Sequence, residues 1–274
     1  MQSAHEPRQD GRRLVATDLD GTLLHTDGTV TDRTRAVLDA LDERGITVVF
    51  VTGRPIRWME HLWHHVGDHG LAVCSNGGIV YDVPMRAVAQ ARPIPRAVGL
   101  EVADRVRTAL PGSVFGLEKT TGFGQEPAFA PRDNEEQRVD LEIGALEEIF
   151  ADDVVKLLAL HPAMGPEEYW AQVEQLVGGM VTTTWSSIGP LVEMSAAGVT
   201  KASTLELLCA ELGVTAADVV AFGDMPNDIA MLRWAGTSYA MANGHPSAIA
   251  AAGHAAPRND DDGVAQVLEE LFLS

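Results

Sequence analysis

Cysteine is nearly absent from this chain: Cys74 and Cys209 are the two among 274 residues. They stand far apart, in no CxxC spacing, which excludes a disulfide framework and a thiolate metal knuckle and fits a reducing, cytoplasmic setting. No apolar run reaches the roughly 18 residues a membrane helix needs. The opening MQSAHEPRQDGRR lacks the apolar centre of a signal peptide, so no membrane association is expected and the first stretch reads as a mobile tail. Basic residues are scarce, with Lys+Arg 20 against Asp+Glu 39 and a formal charge of −19. Such a surface repels phosphodiester backbones, so nucleic acid is not an expected partner. No repeat of solenoid period and no low-complexity segment occurs. The chain is 46% hydrophobic, enough for one large domain or two smaller ones.

The apolar pattern has an alternating rhythm at both ends. Leu14 to Thr17 reads as a buried strand running into Asp18-Leu19-Asp20-Gly21-Thr22. Asp27-Gly28 signals a turn, read as the tip of a small hairpin. A helix is expected from Thr31 to Gly45, a strand over Ile46 to Val51 and a helix from Pro55 to about Val66. A third strand is expected over Leu71 to Cys74. Strands that are apolar throughout are buried on both faces, which favours a parallel sheet covered by helices. The middle is less regular. It holds a helix at Arg96 to Leu110, a polar stretch from Pro111 to Arg138 and a strand at Val154 to His161. A helix at Pro166 to Leu176 and strands at Met180 to Ser186 and Leu191 to Met194 complete it. The first theme then returns: helix Lys201 to Leu212, strand Val219 to Phe222, helix Asn227 to Trp234, strand Ser238 to Met241, and helices at Pro246 to Ala252 and Gly263 to Leu273. The expected fold is α/β, a Rossmann-like doubly wound core (residues 1–83 and 195–274) interrupted by an inserted α+β domain (84–194).

Four features fall where such folds place ligands, at or beside the carboxyl ends of apolar strands. They are Asp18 with Asp20, Thr52 with Gly53, Lys201, and Asp224 with Asn227 and Asp228. Phosphoryl transfer needs a nucleophile in line, a cation on the phosphate oxygens, donors around them and a proton for the departing alcohol. A hard cation such as Mg²⁺ takes one or two carboxylates. Thr52, Gly53, Lys201 and Asn227 offer donors or positive charge, and Asp228 is placed to hold a water on the metal. Any one of these residues alone would read as a cap, a turn or a solvated charge; their order along the chain is what carries the reading.

The motifs Asp18-Leu19-Asp20-Gly21-Thr22-Leu23, Thr52-Gly53-Arg54, Lys201 and Gly223-Asp224-Met225-Pro226-Asn227-Asp228 resemble those of the haloacid dehalogenase-like hydrolases. Gly198-Val199-Thr200-Lys201 and Asn259-Asp260-Asp261-Asp262-Gly263-Val264-Ala265 are similar to the Cof-type branch, as is an insert between Asn76-Gly77-Gly78 and Lys201. Met225-Pro226 departs from the usual pattern. The resemblance implies a Mg²⁺-dependent phosphatase acting on a small phosphorylated metabolite, a sugar phosphate or phosphorylated cofactor, through an aspartyl-phosphate. By the same resemblance Asp18 is the nucleophile and Asp20 the acid and base. The metal set is Asp18, Asp20 (through its main-chain carbonyl), Asp224 and Asp228, and the phosphate is held by Thr52, Gly53, Lys201 and Asn227. An Asp rather than Thr at position 20 favours turnover of the intermediate. A phosphomutase or phosphotransferase on this scaffold, or a receiver-like signalling module, is the alternative.

Other features have plainer readings. His61, His64, His65 and His69 have helical metal spacing but read as a solvated face. Cys74 and Cys209 read as small buried hydrophobes. Arg54 and Arg57 are placed to offset the acidic site. Asp260 to Asp262 read as a cap for the last helix. Phe123, Phe129 and Trp185 are candidate specificity aromatics in the insert, where most aromatics build core.

Overall fold

The structure, a computed structural model, describes residues 13–60, 62–63, 70–129, 141–185 and 191–274. The expected mobile tail, four histidines of the HLWHHVGDH segment and most of the second half of the expected helix 55–66 lie outside the described residues. In chain order the elements open with β1 (Leu14–Thr17), α1 (Asp32–Glu43), β2 (Thr47–Val51), β3 (Leu71–Cys74), β4 (Ile79–Asp82) and β5 (Ala87–Ala91). Next come α2 (Arg96–Ala109), β6 (Val114–Lys119), β7 (Phe123–Gln125), β8 (Leu141–Ile143), α3 (Leu146–Ile149), β9 (Val154–Leu160), α4 (Pro166–Val177), β10 (Val181–Thr184) and β11 (Leu191–Ala196). The chain closes with α5 (Lys201–Leu212), β12 (Val219–Gly223), α6 (Ile229–Trp234), β13 (Thr237–Met241), α7 (Pro246–Ala251), β14 (His254–Ala256) and α8 (Gly263–Leu268).

The first sheet has eight strands in the order β14-β13-β12-β1-β2-β3-β4-β5. From β14 to β3 all pairings are parallel, and β4 and β5 add an antiparallel edge. Successive strand residues point to opposite faces, and both faces are apolar here. Val15, Val48 and Phe50 pack with Val37, Leu38 and Leu41 of α1 and Val264 of α8. Leu14, Ala16, Val49 and Val51 pack with Leu205 and Leu208 of α5, Met231 of α6 and Ala248 of α7. This is the doubly wound α/β architecture expected from the sequence. Thr31 caps α1 by accepting the Thr34 amide, an interaction worth about 1 kcal/mol.

The second sheet has six strands in the order β10-β11-β9-β6-β7-β8, with α2 and α4 packed on one face through Val102, Val106, Tyr169 and Val173. Its other face turns to the first unit. Four sequence expectations need correction. The stretch read as irregular, Pro111 to Arg138, contains β6 and β7. Gly116 breaks the hydrophobic alternation there because the rings of Phe129 and Phe123 lie where its side chain would be: a Cβ would come within 2.9 and 3.0 Å of them. The strand β5 falls inside the segment expected in the insert but pairs with β4 in the first sheet; all five of its residues are exposed, so it carries no apolar signal. The expected helix from Pro55 begins as a single 3-10 turn, Ile56–Trp58. At Asp27-Gly28 the chain makes a tight turn, with the Gly28 amide donating to His25, rather than a strand hairpin.

Candidate active site

The strand order reverses between β1 and β12: the chain winds from β1 through β2 and β3 to one side, and from β12 through β13 and β14 to the other. Helices diverge from such a switch point and leave a crevice at the strands' carboxyl ends. Asp18 follows β1 and Asp224 follows β12, and the Asp18 amide donates to Phe222 at 3.1 Å, tying the two ends together.

Carboxylate oxygens of Asp18, Asp224 and Asp228 lie within 4.8 Å of one another, and all three residues are buried. Lys201, the first residue of α5 and 1% exposed, places Nζ 3.0 Å from Asp18 Oδ1 and 2.7 Å from Asp228 Oδ1. Thr200 and Ser203 form a reciprocal capping box that fixes this end of α5. Asp228 Oδ2 accepts the amides of Asp224 and Met225, each at 3.0 Å. Pro226, at the first position of the 3-10 turn Pro226–Asp228, has no amide to lose there, so the departure at Met225-Pro226 leaves these bonds intact. Asp224 Oδ1 accepts from the Thr22 hydroxyl at 3.0 Å. Gly21 has φ +70, and a Cβ there would sit 2.4 Å from Asp224 Oδ2, so only glycine lets the loop approach this carboxylate.

Three buried carboxylates therefore face one ammonium. Burial pushes the Asp18 carboxyl well above its ordinary range; Lys201 opposes this, while Asp228 and Asp224 add to it. Burial followed by repulsion from Asp228 pushes Asp224 up to about 7. For Lys201 burial works to lower the pKa, but the Asp18 and Asp228 carboxylates outweigh it and hold the ammonium above its usual value. A set of oxygen donors with surplus negative charge suits a hard divalent cation, so these residues fit Mg²⁺. Asp20 lies outside this cluster by its side chain. Its carboxylate is held by Arg54 in a bidentate pair, Nε to Oδ2 at 2.7 Å and Nη2 to Oδ1 at 2.5 Å.

The loops after β2 and β3 form the neighbouring corner. Thr52 is fully buried, and its hydroxyl oxygen accepts the Arg54 amide at 3.0 Å. Asn76 sits beside Ser75, both in the left-handed region (φ 55 and 53), a strained conformation for these residues. It is held there on all sides: its amide donates to the Thr52 carbonyl at 3.0 Å and its Oδ1 accepts from Asn227 Nδ2 at 3.1 Å. Asn227 Oδ1 is buried without a hydrogen-bond partner, an orphan at the edge of this corner.

The second sheet closes over the corner with charged side chains. Lys156 on β9 donates to the Gly53 carbonyl at 2.7 Å and to Glu193 on β11 at 2.9 Å. Glu193 in turn accepts from Asn76 Nδ2 at 2.6 Å. Glu118 on β6 pairs with Arg57 in a bidentate contact at 3.1 and 2.5 Å, and burial raises its carboxyl despite that partner. Sequence reasoning did not single out Lys156, Glu193 or Glu118. The signal was present as charges inside otherwise apolar strands, such as Lys156 in VVKLLAL.

The structure thus gathers Asp18, Asp224, Asp228 and Lys201 in one cluster, sets Thr52, Gly53 and Asn227 around the adjoining corner, and places Asp20 on Arg54. The expected cap by Asp260 to Asp262 is not made. Asp262 instead binds Thr31 and Thr34 hydroxyls and His25, and Asp260 binds Thr26, so these carboxylates pin the loop after Leu23 to the last helix. Phe123 and Phe129 are buried in a small core with Leu158, whereas Trp185 lies half-buried at the junction of the two units. Cys74 and Cys209 are free and buried, their thiols pushed up by burial to about 12 and about 11.

Residues 15–268 match the sequence profile of haloacid dehalogenase-like hydrolases. The chain belongs to that family. It is 29% identical to an HMP-PP phosphatase of Enterobacter sp. (strain 638) over 88% of each chain. It is 27% identical to the 5-amino-6-(5-phospho-D-ribitylamino)uracil phosphatase YitU of Bacillus subtilis (strain 168), covering 94% of this chain and 97% of that one. Its structure superposes on SMU.1108c from Streptococcus mutans UA159 with a TM-score of 0.83 at 25% identity, covering 96% of this chain and all of that one. Among the described residues, no helix is long and apolar enough to cross a membrane.

Proposed function

We propose that this phosphoric monoester hydrolase acts on a small phosphorylated metabolite through an aspartyl-phosphate on Asp18, with Mg²⁺ held by Asp18, Asp224 and the Asp20 main-chain carbonyl, and with Asp228 behind them. The observation that carries the reading is the convergence of three carboxylates and Lys201 in the crevice between β1 and β12. Mg²⁺, when bound, supplies the positive charge that lets a carboxylate approach a phosphate dianion. Asp18 attacks phosphorus. Thr52, Gly53, Asn227 and Lys201 hold the phosphate oxygens. Asp20 gives its proton to the departing oxygen and then takes one from the attacking water. Arg54 pairs with Asp20; an incoming phosphate competes for the guanidinium, and the released carboxylate takes up from solvent or the substrate monoanion the proton it then passes to the departing oxygen.

The unit from α2 to β11 is assigned as the cap. Lys156 and Glu193 hold the two loops of the phosphate corner from above, so cap closure and the arrangement of Gly53 and Asn76 are coupled. The test is phosphate release from a panel of phosphorylated metabolites in Mg²⁺ and in chelator, with Asp18→Asn alongside. Metal-dependent release lost in the variant supports the reading; release that survives either change refutes it.

A further inference from the structure

A cleft of about 320 Å³ opens where the cap meets the first unit, large enough for a single substituted ring. Its walls include Trp170 and Trp185 from the cap and His245 from the start of α7. The Trp170 and Trp185 rings are tilted at 34° with centroids 6.5 Å apart, and the His245 ring stands at 76° to Trp185 at 5.8 Å. The aromatic walls are fixed from behind. The Trp170 Nε1 donates to Thr183 at 3.1 Å, and His245 Nδ1 accepts the Ser247 amide at 3.2 Å. One side of the cleft reaches the phosphate corner through Asn227. Thr184 and Asn227 both line the cleft, and both bond to Asn76, at 3.2 and 3.1 Å. Among the described residues the acidic and basic side chains on the lining are Glu167 and His245, with no Lys or Arg, so a second anionic group would meet a carboxylate and no permanent cation.

We infer that this cleft is the subsite for the leaving group and that it selects phosphate esters of planar, aromatic alcohols carrying no second anionic group. Trp170, Trp185 and His245 touch in turn and form one aromatic wall of the cleft, a surface that meets a planar π-system by stacking and edge contacts better than a puckered saturated ring of equal bulk. Asn227 links the cleft to the corner: with the phosphate in the corner, the ester oxygen's substituent extends along the wall that Trp185 and His245 form together. The inference rests on the phosphatase reading above.

The test compares benzyl phosphate with cyclohexylmethyl phosphate, which share arm length and bulk and differ in planarity. The wild-type protein is expected to favour the aromatic ester by roughly three- to tenfold in kcat/KM, the size of effect an aromatic contact gives. Trp185→Leu should bring that ratio close to one, and Trp185→Phe should keep most of it, which separates lost stacking from a damaged fold. Equal rates on the two esters in the wild type, or a preference untouched by Trp185→Leu, overturn the inference and leave the phosphatase reading standing. Hydrolysis of neither ester, together with failure of the metabolite panel, removes both.

Discussion

Replacing Asp224 by Asn is expected to stabilise the metal-free protein. Asp224 is 7% exposed, its hydrogen bond comes from the Thr22 hydroxyl, and it faces Asp228 and Asp18 across the cluster. Burial and then Asp228 raise its carboxyl from 3.8 to about 7. The folded state therefore holds a proton that the unfolded chain has released, so this group's contribution to stability is whole below the ordinary carboxylate range and is lost as pH climbs through 7. The gap corresponds to about 4 kcal/mol at about 1.36 kcal/mol per pH unit, an upper figure because the repulsion is shared with the neighbouring carboxylates. Asn keeps the volume and the acceptor for Thr22 but carries no charge. The expected gain is about 2–4 kcal/mol near pH 8, shrinking to about 1–2 near pH 5. In melting temperature the gain near pH 8 is roughly 5–10 °C for a chain of this size. Differential scanning calorimetry in chelator, on both proteins at both pH values, reads the difference directly. Millimolar Mg²⁺ should raise the melting temperature of the wild type and leave Asp224→Asn where it was. A variant less stable than wild type near pH 8 without metal would refute this account of the cluster's electrostatics.

Other substitutions follow from the same geometry. Gly21→Ala forces a Cβ to within 2.4 Å of Asp224 Oδ2 at a φ of +70; Mg²⁺ affinity measured by calorimetric titration should fall by about tenfold or more. Lys156→Met leaves Glu193 buried without its cation and should cost about 3–5 kcal/mol in urea denaturation; adding Glu193→Gln should recover part of that loss. Arg54→Ala removes the bidentate partner of Asp20 and, in the proposed reading, a cation that meets the phosphate, so kcat/KM should fall by roughly 10–100-fold while the melting temperature changes little.

The α/β core was legible in the sequence because its strands are apolar on both faces and its helices are bounded by caps. Leu14 to Thr17 and Val219 to Phe222 needed no context to be read, and the residues that end them announced the site. What escaped notice had physical causes. Strand β5 is exposed along its whole length and carries no periodic pattern. Strand β6 places Gly116 under two phenyl rings, so a residue that looks like a breaker is a packing surface. The cap's underside is charged, and Lys156, Glu193 and Glu118 make sense only beside Gly53, Asn76 and Arg57, which lie up to 117 positions away in sequence. The pairing of Asp20 with Arg54 likewise spans two loops that no local pattern connects. Asp260 and Asp262 were read as caps because a helix follows them, but the loop after Leu23 comes within reach first.

The most direct test of the central claim is to trap the intermediate. Protein turning over benzyl phosphate in Mg²⁺ would be quenched in borohydride, which reduces an acyl phosphate to an alcohol, and then digested and mapped by mass spectrometry. The account predicts a reduced side chain at Asp18 that is absent without substrate, absent in chelator and absent when Asp18→Asn replaces the wild type. Vigorous turnover with Asp18 unmodified, or modification at another carboxylate, would contradict it.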